Sequence, residues 1–527
     1  MKAAKKTFSV VVNKIWAWVK LILWRKEPRY RVIRWTVVVL MSLGIFSYLT
    51  NPFVRFSIVT DPYAKIVLEE SGFDLEIDDS ILIKDGVFTQ RLAVIKSGWH
   101  ILSSKLAGGR RVQESTVDNI IRELHKERFD PSNPFLISGD HFSVLYNRSL
   151  GIFYHSLLDH RTALDEQDWQ HRQQIYLKTL AYALQVYAQS DVLSTTIVPV
   201  GPRSVALMNI YAYPSDTLYS LLYAIRALQD ESVAQGLYRF EGSGKYKLET
   251  TEVTNRLVER YKEDLVRHVG SYIETVVDPE TGLVRKDIYL SGTKDLAKRE
   301  SAFYDNVILW QTYGLAEEIE LIELEEGFLE ALKEKIIAEY WLEDRGYFLE
   351  EKSEQAIGKS YYSSDWLIVY MTGFLNPDIP EERIYYERSV DHIRKNAIDQ
   401  PLAVQYQPDL RRDQLHFFPK WFATQYGATA IWSNWGMEYI KLMVHLSQVT
   451  GDSLYLESAD QQLSRYAYNI KRYRGYPELY DVNGDIYKSF FYKSILRTGW
   501  VVSYEQARAM FDWTRSDGQK STMEESE

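Results

Sequence analysis

The chain of 527 residues contains no cysteine. Disulfides, thiolate nucleophiles and cysteine-ligated zinc are therefore excluded, while the compartment stays open, because a large core needs no covalent staples in an oxidising space. There is no His-Glu-x-x-His pair, and His155 and His160 lie five apart, a spacing that does not put two ligands on one helical face. Gly242-Ser-Gly-Lys245 lacks phosphate-loop spacing, since Arg239 stands where the first glycine is needed and Tyr246 follows the lysine. No cofactor and no metal is expected. Net positive charge is missing too: the balance is −10, which argues against nucleic acid as a partner. Long strand-like alternation is absent after residue 110, and no repeat of fixed period marks a solenoid. The acceptor sequence Asn147-Arg-Ser149 has meaning only in a eukaryotic secretory route.

Aromatic rings are abundant, with 14 Trp, 38 Tyr and 21 Phe. Rings fill cores, and they also form flat platforms on which sugar faces stack. The N-terminus is equally distinctive. Residues 1–34 carry ten Lys/Arg against one acid, Glu27. An apolar run, 35–49, follows and extends to 32 and 53, which gives about 20 residues, enough for one membrane span. The basic flank before it, with only Arg55 just after it, places the N-terminus in the cytoplasm and the C-terminal domain outside it. No small-x-small cleavage site follows, so the run reads as an uncleaved signal-anchor. Residues 8–24 are apolar but interrupted by Lys14 and Lys20, the pattern of a helix lying in the headgroup plane; a second span there would reverse the topology. The expected organisation is a basic cytoplasmic or interfacial segment 1–31, a single transmembrane helix 32–53, a linker and irregular extension 54–114, a helical domain 115–513 and a disordered polar tail 514–527.

From about 115 a 3.6-residue period dominates. It predicts helices near 117–126, 145–158, 166–189, 253–275, 303–323, 327–340, 363–373, 381–397, 425–449, 453–471 and 502–513, with Ser503 capping the last, and another capped by Ser215-Asp216 that carries Leu218, Leu221, Leu222, Ile225 and Leu228. Turn signals such as Asp278-Pro-Glu-Thr-Gly282, Asn376-Pro-Asp378 and Asn483-Gly484 separate them. About twelve helices with long aromatic loops and no repeat favour an all-α (α/α)6 toroid, six hairpins closed on themselves, over an open solenoid.

Chemistry gathers on the connecting segments. Glycoside hydrolysis needs two carboxyl groups facing across a bond, one protonated to supply the leaving group and one ionised to activate water or attack. Asp305, at a helix start behind Tyr304, and Glu478, exposed on a loop by Gly475-Tyr-Pro477, are candidates. Asp216 and Asp365 also open helices, where capping is their expected role.

Three stretches resemble glycoside hydrolase family 63 and its trehalase-like relatives. Glu300-Ser-Ala-Phe-Tyr304-Asp305-Asn306 is similar to that family's Glu-Ser-Gly-x-Asp-Asn, in which the Asp is the general acid. Tyr426-Gly-Ala-Thr-Ala-Ile-Trp432-Ser-Asn434-Trp435 looks like its Tyr-x-Gly-x-x-Trp segment. Pro477-Glu478-Leu-Tyr480-Asp481-x-x-Gly484, followed by Gly499-Trp500, resembles a Glu-x-Tyr…Gly-Trp pattern in which the Glu is the general base. Trp341-Leu-Glu-Asp-Arg-Gly-Tyr347 is similar to a turn of the same enzymes. The resemblance covers roughly 200–510, in pieces. It departs at an extra residue between Ser301 and Asp305, at Ala302 for glycine and at Ala428 or Thr429 for an arginine, which leaves Asp295 as the alternative acid. It implies an inverting, exo-acting glycosidase on an oligosaccharide or polysaccharide. Tyr304, Tyr426, Trp432, Trp435 and Trp500, with Asp140, His141 and Arg148, would line the sugar pocket. Two alternatives remain open: an inactive carbohydrate-binding toroid serving cell-surface polysaccharide assembly, and a lyase or epimerase on the same fold, which would need a Tyr/His/Arg cluster instead.

Overall fold

The computed structural model describes residues 111–524 apart from 131, 132, 134, 140–143, 202, 203, 210, 212, 239–245, 295 and 491, and also positions 35, 36, 38–40, 42, 82, 83, 95, 98, 99, 102 and 105. The chain divides into two compact units, Met1–Pro52 and Phe53–Glu527. In the first, the described positions between 35 and 42 are helical and exposed. The interfacial segment 1–31 and most of the run 32–53 lie outside the described residues, and among the described residues no helix is long and apolar enough to cross a membrane.

Among the described residues, the helical elements that alternate around the core of the second unit are α1 Val117–Arg128, a π-helical turn Ser149–Phe153, α2 Glu166–Tyr187, α3 Thr217–Gln229, α4 Thr251–Val276, α5 Phe303–Glu318, α6 Phe328–Tyr340, α7 Ile368–Thr372 behind a 3-10 turn Ser364–Leu367, α8 Pro380–Lys395, α9 Ser433–Thr450, α10 Ser453–Tyr473 and α11 Val501–Glu524, with short helical turns His160–Thr162, Ser232–Gln235, Glu354–Lys359 and Phe417–Phe422 on the connections. Burial sorts them into two rings. Eleven of the thirteen residues of α3 are buried, whereas α6, of equal length, buries only Leu332, Ile336 and Tyr340, one stripe at four-residue spacing. A helix buried all round belongs inside, and one with a single apolar stripe belongs outside. Inner and outer elements alternate along the chain, beginning with outer α1.

The inner ring closes. α3 touches the π turn and α5, α5 touches α7, α7 touches α9, and α9 touches α11. α11 returns to the start, packing on the 3-10 turn His160–Thr162 just after the π turn, while Trp500 stacks on Phe153 at 4.2 Å. A seam joins the two ends of the domain: Val112 donates its amide to Arg474 O (2.8 Å), Gly139 pairs with Thr498, and His125 meets Glu505 at 2.6 Å.

Local chemistry sets the helix ends. Thr116, Asp165 and Asp452 accept amide hydrogen bonds as N-caps of α1, α2 and α10. Gly451, at φ 72°, ends α9 in the left-handed region that glycine enters without strain.

Four expectations need correction. Thr196–Gly201 and Ser204–Met208 form an antiparallel hairpin (β3, β4) within a four-stranded sheet that also contains β1 Leu82–Ile83 and β2 Leu145–Tyr146. Ile197, Val205 and Leu207 face the main core, and Val198 and Ala206 face a small second cluster with Val144. Both faces are apolar, so the strands read as a continuous run with no alternation. The helix expected from 425 begins only at Ser433, because 425–432 is a turn followed by β9 Ile431–Trp432, paired with β10 Leu479–Tyr480. The last helix starts at Val501, so Ser503 lies within it and the Trp500 amide is taken by Thr498 Oγ1 (3.2 Å). That helix also continues past Thr514 to Glu524, where a disordered tail was expected.

Candidate active site

The first turns of the inner elements converge on one mouth. Tyr304 of α5 donates to Asp216 before α3 (3.1 Å) and its ring meets that of Trp435 in α9 at 6.3 Å. Arg148, preceding the π turn, lies 3.5 Å from Asp216. Arg299, preceding α5, pairs with Asp365 before α7 at 2.6 Å. Trp432, preceding α9, stacks with Trp500, preceding α11, at 6.1 Å. Helix N-termini carry a partial positive charge, so carboxylates are at home here.

Asp305 occupies the first turn of α5 and is only 3% exposed. The flanking motif holds it in place. Asn306 donates to Ser301 Oγ (3.2 Å), Ala302 O (2.9 Å) and Tyr340 Oη (2.9 Å), and its Oδ1 accepts from the Val284 amide (2.9 Å). Ser and Asn in this motif therefore build the turn from which Asp305 points inward. Around it stand Ser215, Arg299 and the bare Cα of Gly292, whose carbonyl accepts from Arg148. Burial raises the Asp305 pKa above the ordinary carboxylate value, Arg299 works against that, and Asp365 adds to it. Arg299 gives its ion pair to Asp365, which also accepts from Tyr406 (3.2 Å). Behind this layer a buried network fixes the loops: Lys294 donates to Glu350 and to Gln407 (2.9 Å), and Arg411 pairs with Glu351 (2.9 Å).

Glu478 lies at the same mouth, because its carbonyl accepts from the first amide of α9, Ser433 (3.1 Å). Its side chain accepts from the Tyr492 hydroxyl. It is 3% exposed, so the expectation of an exposed loop carboxylate is corrected: β9 and β10 pair beside it and fold the loop back over α9. A wall of rings runs from Tyr406, the partner of Asp365, to Tyr492, the partner of Glu478. Tyr406 meets Trp432 at 5.6 Å, Trp432 meets Tyr426 at 5.2 Å, and Tyr426 meets Tyr492 at 5.4 Å.

Tyr304, Arg148, Tyr426, Trp432, Trp435 and Trp500 are thus gathered at the mouth with Asp305 and Glu478. Asp140, His141 and the alternative acid Asp295 lie outside the described residues. Asp216 and Asp365 are not side-chain caps: neither α3 nor the turn before α7 has a side-chain cap bond, and both carboxylates face arginines. Arg299, Tyr406, Tyr492 and His416 are additions. Arg299 sits one residue before the recognisable Glu300-Ser301 motif, so an arginine next to a catalytic-type acid was the available signal. The other three are brought in from separate loops. Among the described residues no group of His, Asp and Glu is arranged to hold a metal ion.

No protein-family model matches the chain, and no curated protein matches it. Among solved structures it is similar to cellobiose 2-epimerase from Bacillus thermoamylovorans, at 12% identity and a TM-score of 0.44 over 76% of this chain and 100% of that one. It is also similar to the glycoside hydrolase family 63 mannosylglycerate hydrolase from Thermus thermophilus, at 11% identity and 0.44 over 76% and 100%. Glucoamylase from Saccharomycopsis fibuligera is similar at 11% identity and 0.46 over 77% and 97%. Family 63, which the motifs resemble, is therefore represented among these structures.

Proposed function

We propose that this protein is a carbohydrate-processing toroid, and specifically a glycoside hydrolase in which Asp305 is the general acid and Glu478 the general base. The observation behind this is a pair of buried carboxyls, Asp305 in the first turn of α5 and Glu478 bonded through its carbonyl to the first amide of α9. Burial favours the protonated form of Asp305, which a general acid needs. Glu478 accepts a hydrogen bond from the Tyr492 hydroxyl, which fixes the direction of its carboxyl. Asp305 would protonate the glycosidic oxygen as the bond breaks, and Glu478 would take a proton from the water that attacks the anomeric carbon. Tyr426, Trp432 and Trp500 would stack on the sugar, with Trp435 backing Tyr304. The exo mode, inversion and the single-pass anchor with its N-terminus in the cytoplasm belong to the same proposal.

The test is release of reducing sugar from a panel of oligosaccharides by the purified full-length protein, with Glu478→Gln as control and ¹H NMR of the first-formed anomer. Turnover abolished by the substitution supports the assignment. Glycan binding without turnover, unchanged in Glu478→Gln, would mean an inactive binding toroid. Resistance of the protein to alkaline carbonate extraction from membranes tests the anchor.

One observation favours a second reading, an epimerase or lyase. His416 is buried, its amide bonds Leu296 O (2.8 Å), its ring meets Tyr211 at 6.3 Å, and Nδ1 makes no hydrogen bond within the protein. Deuterium incorporation from solvent into recovered sugar, lost in His416→Ala, would replace the hydrolase reading.

A further inference from the structure

Gly292 stands where the backbone does not call for a glycine, because its φ lies outside the left-handed region. Space is what opposes a side chain. A Cβ there would meet Ser215 Oγ at 3.0 Å, Asp305 Oδ1 at 3.1 Å and Arg299 Nη2 at 3.3 Å. The missing methyl leaves a notch ringed by a hydroxyl, a carboxyl oxygen and a guanidinium nitrogen.

The backbone around the notch is fixed. Tyr213–Pro214 and Leu290–Ser291 form a short parallel pair with Pro214 opposite Ser291, which brings Ser215 and Gly292 side by side. The Ser215 amide donates to Ser291 O (3.0 Å), its carbonyl accepts from the Tyr272 hydroxyl (3.2 Å), and the Gly292 carbonyl accepts from Arg148. Ser215, Asp305 and Arg299 are 0%, 3% and 6% exposed. Ser215 lies near enough to Asp305 to lower its pKa, yet Ser215 Oγ and Asp305 Oδ1 have no hydrogen-bond partner among the described residues. Arg299 gives Nη1 to Asp365 (2.6 Å) and turns Nη2 to the notch. Buried polar atoms left unpaired cost stability, and two at one point ask for a partner from outside the fold.

We propose that the notch recognises one hydroxyl group of the substrate, on the carbon next to the one that carries the scissile oxygen. The occupant must donate to Asp305 Oδ1 and accept from Ser215 or Arg299. A hydroxyl does both. An ether or ester oxygen and a carboxylate have no proton to donate, and an ammonium has no lone pair to offer and is repelled by Arg299. The two oxygens of one carboxyl are spaced for two neighbouring oxygens of a sugar. While one protonates the scissile oxygen, the other takes the hydroxyl beside it. This rests on the hydrolase reading of Asp305 and narrows the substrate to glycans unsubstituted at that position; a branch or an ester there would be refused.

The experiment takes the oligosaccharide that the full-length protein turns over fastest and two monodeoxy analogues. One lacks the hydroxyl next to the scissile bond on the glycosyl unit, the other on the leaving unit. For one of them kcat/KM should fall roughly ten-fold or more, which assigns the hydroxyl to that unit. Ser215→Ala and Gly292→Ala should each lower kcat/KM several-fold on the parent sugar and leave the sensitive analogue unchanged. Equal losses on parent sugar and analogue would mark a purely structural role and overturn the proposal, as would full activity on both analogues. A crystal structure of the full-length protein gives a readout without turnover. A water bonded to Ser215 Oγ, Arg299 Nη2 and Asp305 Oδ1 is expected, and it should be gone from Gly292→Ala; a notch without water in both overturns the proposal. Glu478→Gln separates the two readings. Discrimination against one analogue, with turnover indifferent to Glu478→Gln, would refute the pair of acids and keep the hydroxyl site. Turnover lost in Glu478→Gln, with both analogues accepted, would keep the acids and remove the site.

Discussion

Two levels of the inner ring bury charge and treat it in opposite ways. Deep in the ring, Glu438 of α9 pairs with Lys441 one turn further on at 2.7 Å and lies 3.2 Å from His155, and Lys441 also donates to Gln506 (2.8 Å). Burial alone would raise the Glu438 pKa; Lys441 and then His155 overcome it and hold it at about 2. At the mouth, Asp305 is as deeply buried, yet its pKa is raised. The nearby arginine, Arg299, makes its close ion pair with Asp365 and reaches Asp305 only through space. Depth is therefore not what decides the direction in which a buried carboxylate shifts. What decides it is whether the cation next door is committed to that carboxylate or to another.

The largest effect expected is at the mouth. Asp305→Asn should lower turnover by roughly 10²–10⁴-fold without lowering the melting temperature at neutral pH, since it removes a carboxyl whose ionisation burial opposes. A thermal melt beside the rate assay checks both halves, and loss of stability with retained activity would reverse the assignment. At the deeper level the same kind of change should act on the fold. Glu438→Ala leaves Lys441 buried without its carboxylate, a loss of roughly 3–5 kcal/mol readable by urea unfolding. The sign with pH is fixed by the depressed pKa. The contribution of Glu438 is fully present above its unfolded value of 4.5 and disappears as pH falls toward about 2. The variant should therefore show a flatter acid limb of stability than the parent.

Exchanging the partners sharpens the contrast. Asp365→Asn releases Arg299 toward Asp305 and removes a neighbouring negative charge, and both changes lower the Asp305 pKa. The alkaline limb of the activity–pH profile should move to lower pH, while a fixed limb would show that Arg299 is not what poises the acid. The smallest effect is expected at Gly292. A Cβ there would sit 3.0 Å from Ser215 Oγ, 3.1 Å from Asp305 Oδ1 and 3.3 Å from Arg299 Nη2. Gly292→Ala should cost about 1 kcal/mol and slow turnover several-fold, with the rate falling more than the urea midpoint.

The helical plan was legible because amphipathic and fully apolar helices both leave a 3.6-residue trace, and because turn signals such as Asp278-Pro-Glu-Thr-Gly282 and Asn376-Pro-Asp378 separate them. The β3–β4 hairpin was not, since with apolar residues on both faces it loses the two-residue alternation. At the site, Asp305 and Glu478 could be singled out by their motif surroundings. The roles of Asp216 and Asp365 were misread as capping, because a helix-opening aspartate looks the same whether it bonds its own amides or an arginine from another loop. Tyr406, Tyr492 and His416 meet the site only through long-range packing, for which no local spacing exists. Burial of Glu478 was hidden for the same reason: Pro477 predicts a break in the helix and says nothing about what folds over the break.

The seam has a consequence for how the molecule is made. Val112 meets Arg474, Gly139 meets Thr498, and His125 meets Glu505, so each contact spans more than three hundred residues. During synthesis the early helices emerge without the neighbours that will cover their inner faces, and the circle stays incomplete until α11 has left the ribosome. A chain stopped before Val501 would be an arc with an open flank, its first apolar faces uncovered. Such a fragment would be expected to associate with itself rather than survive as a smaller version of the whole.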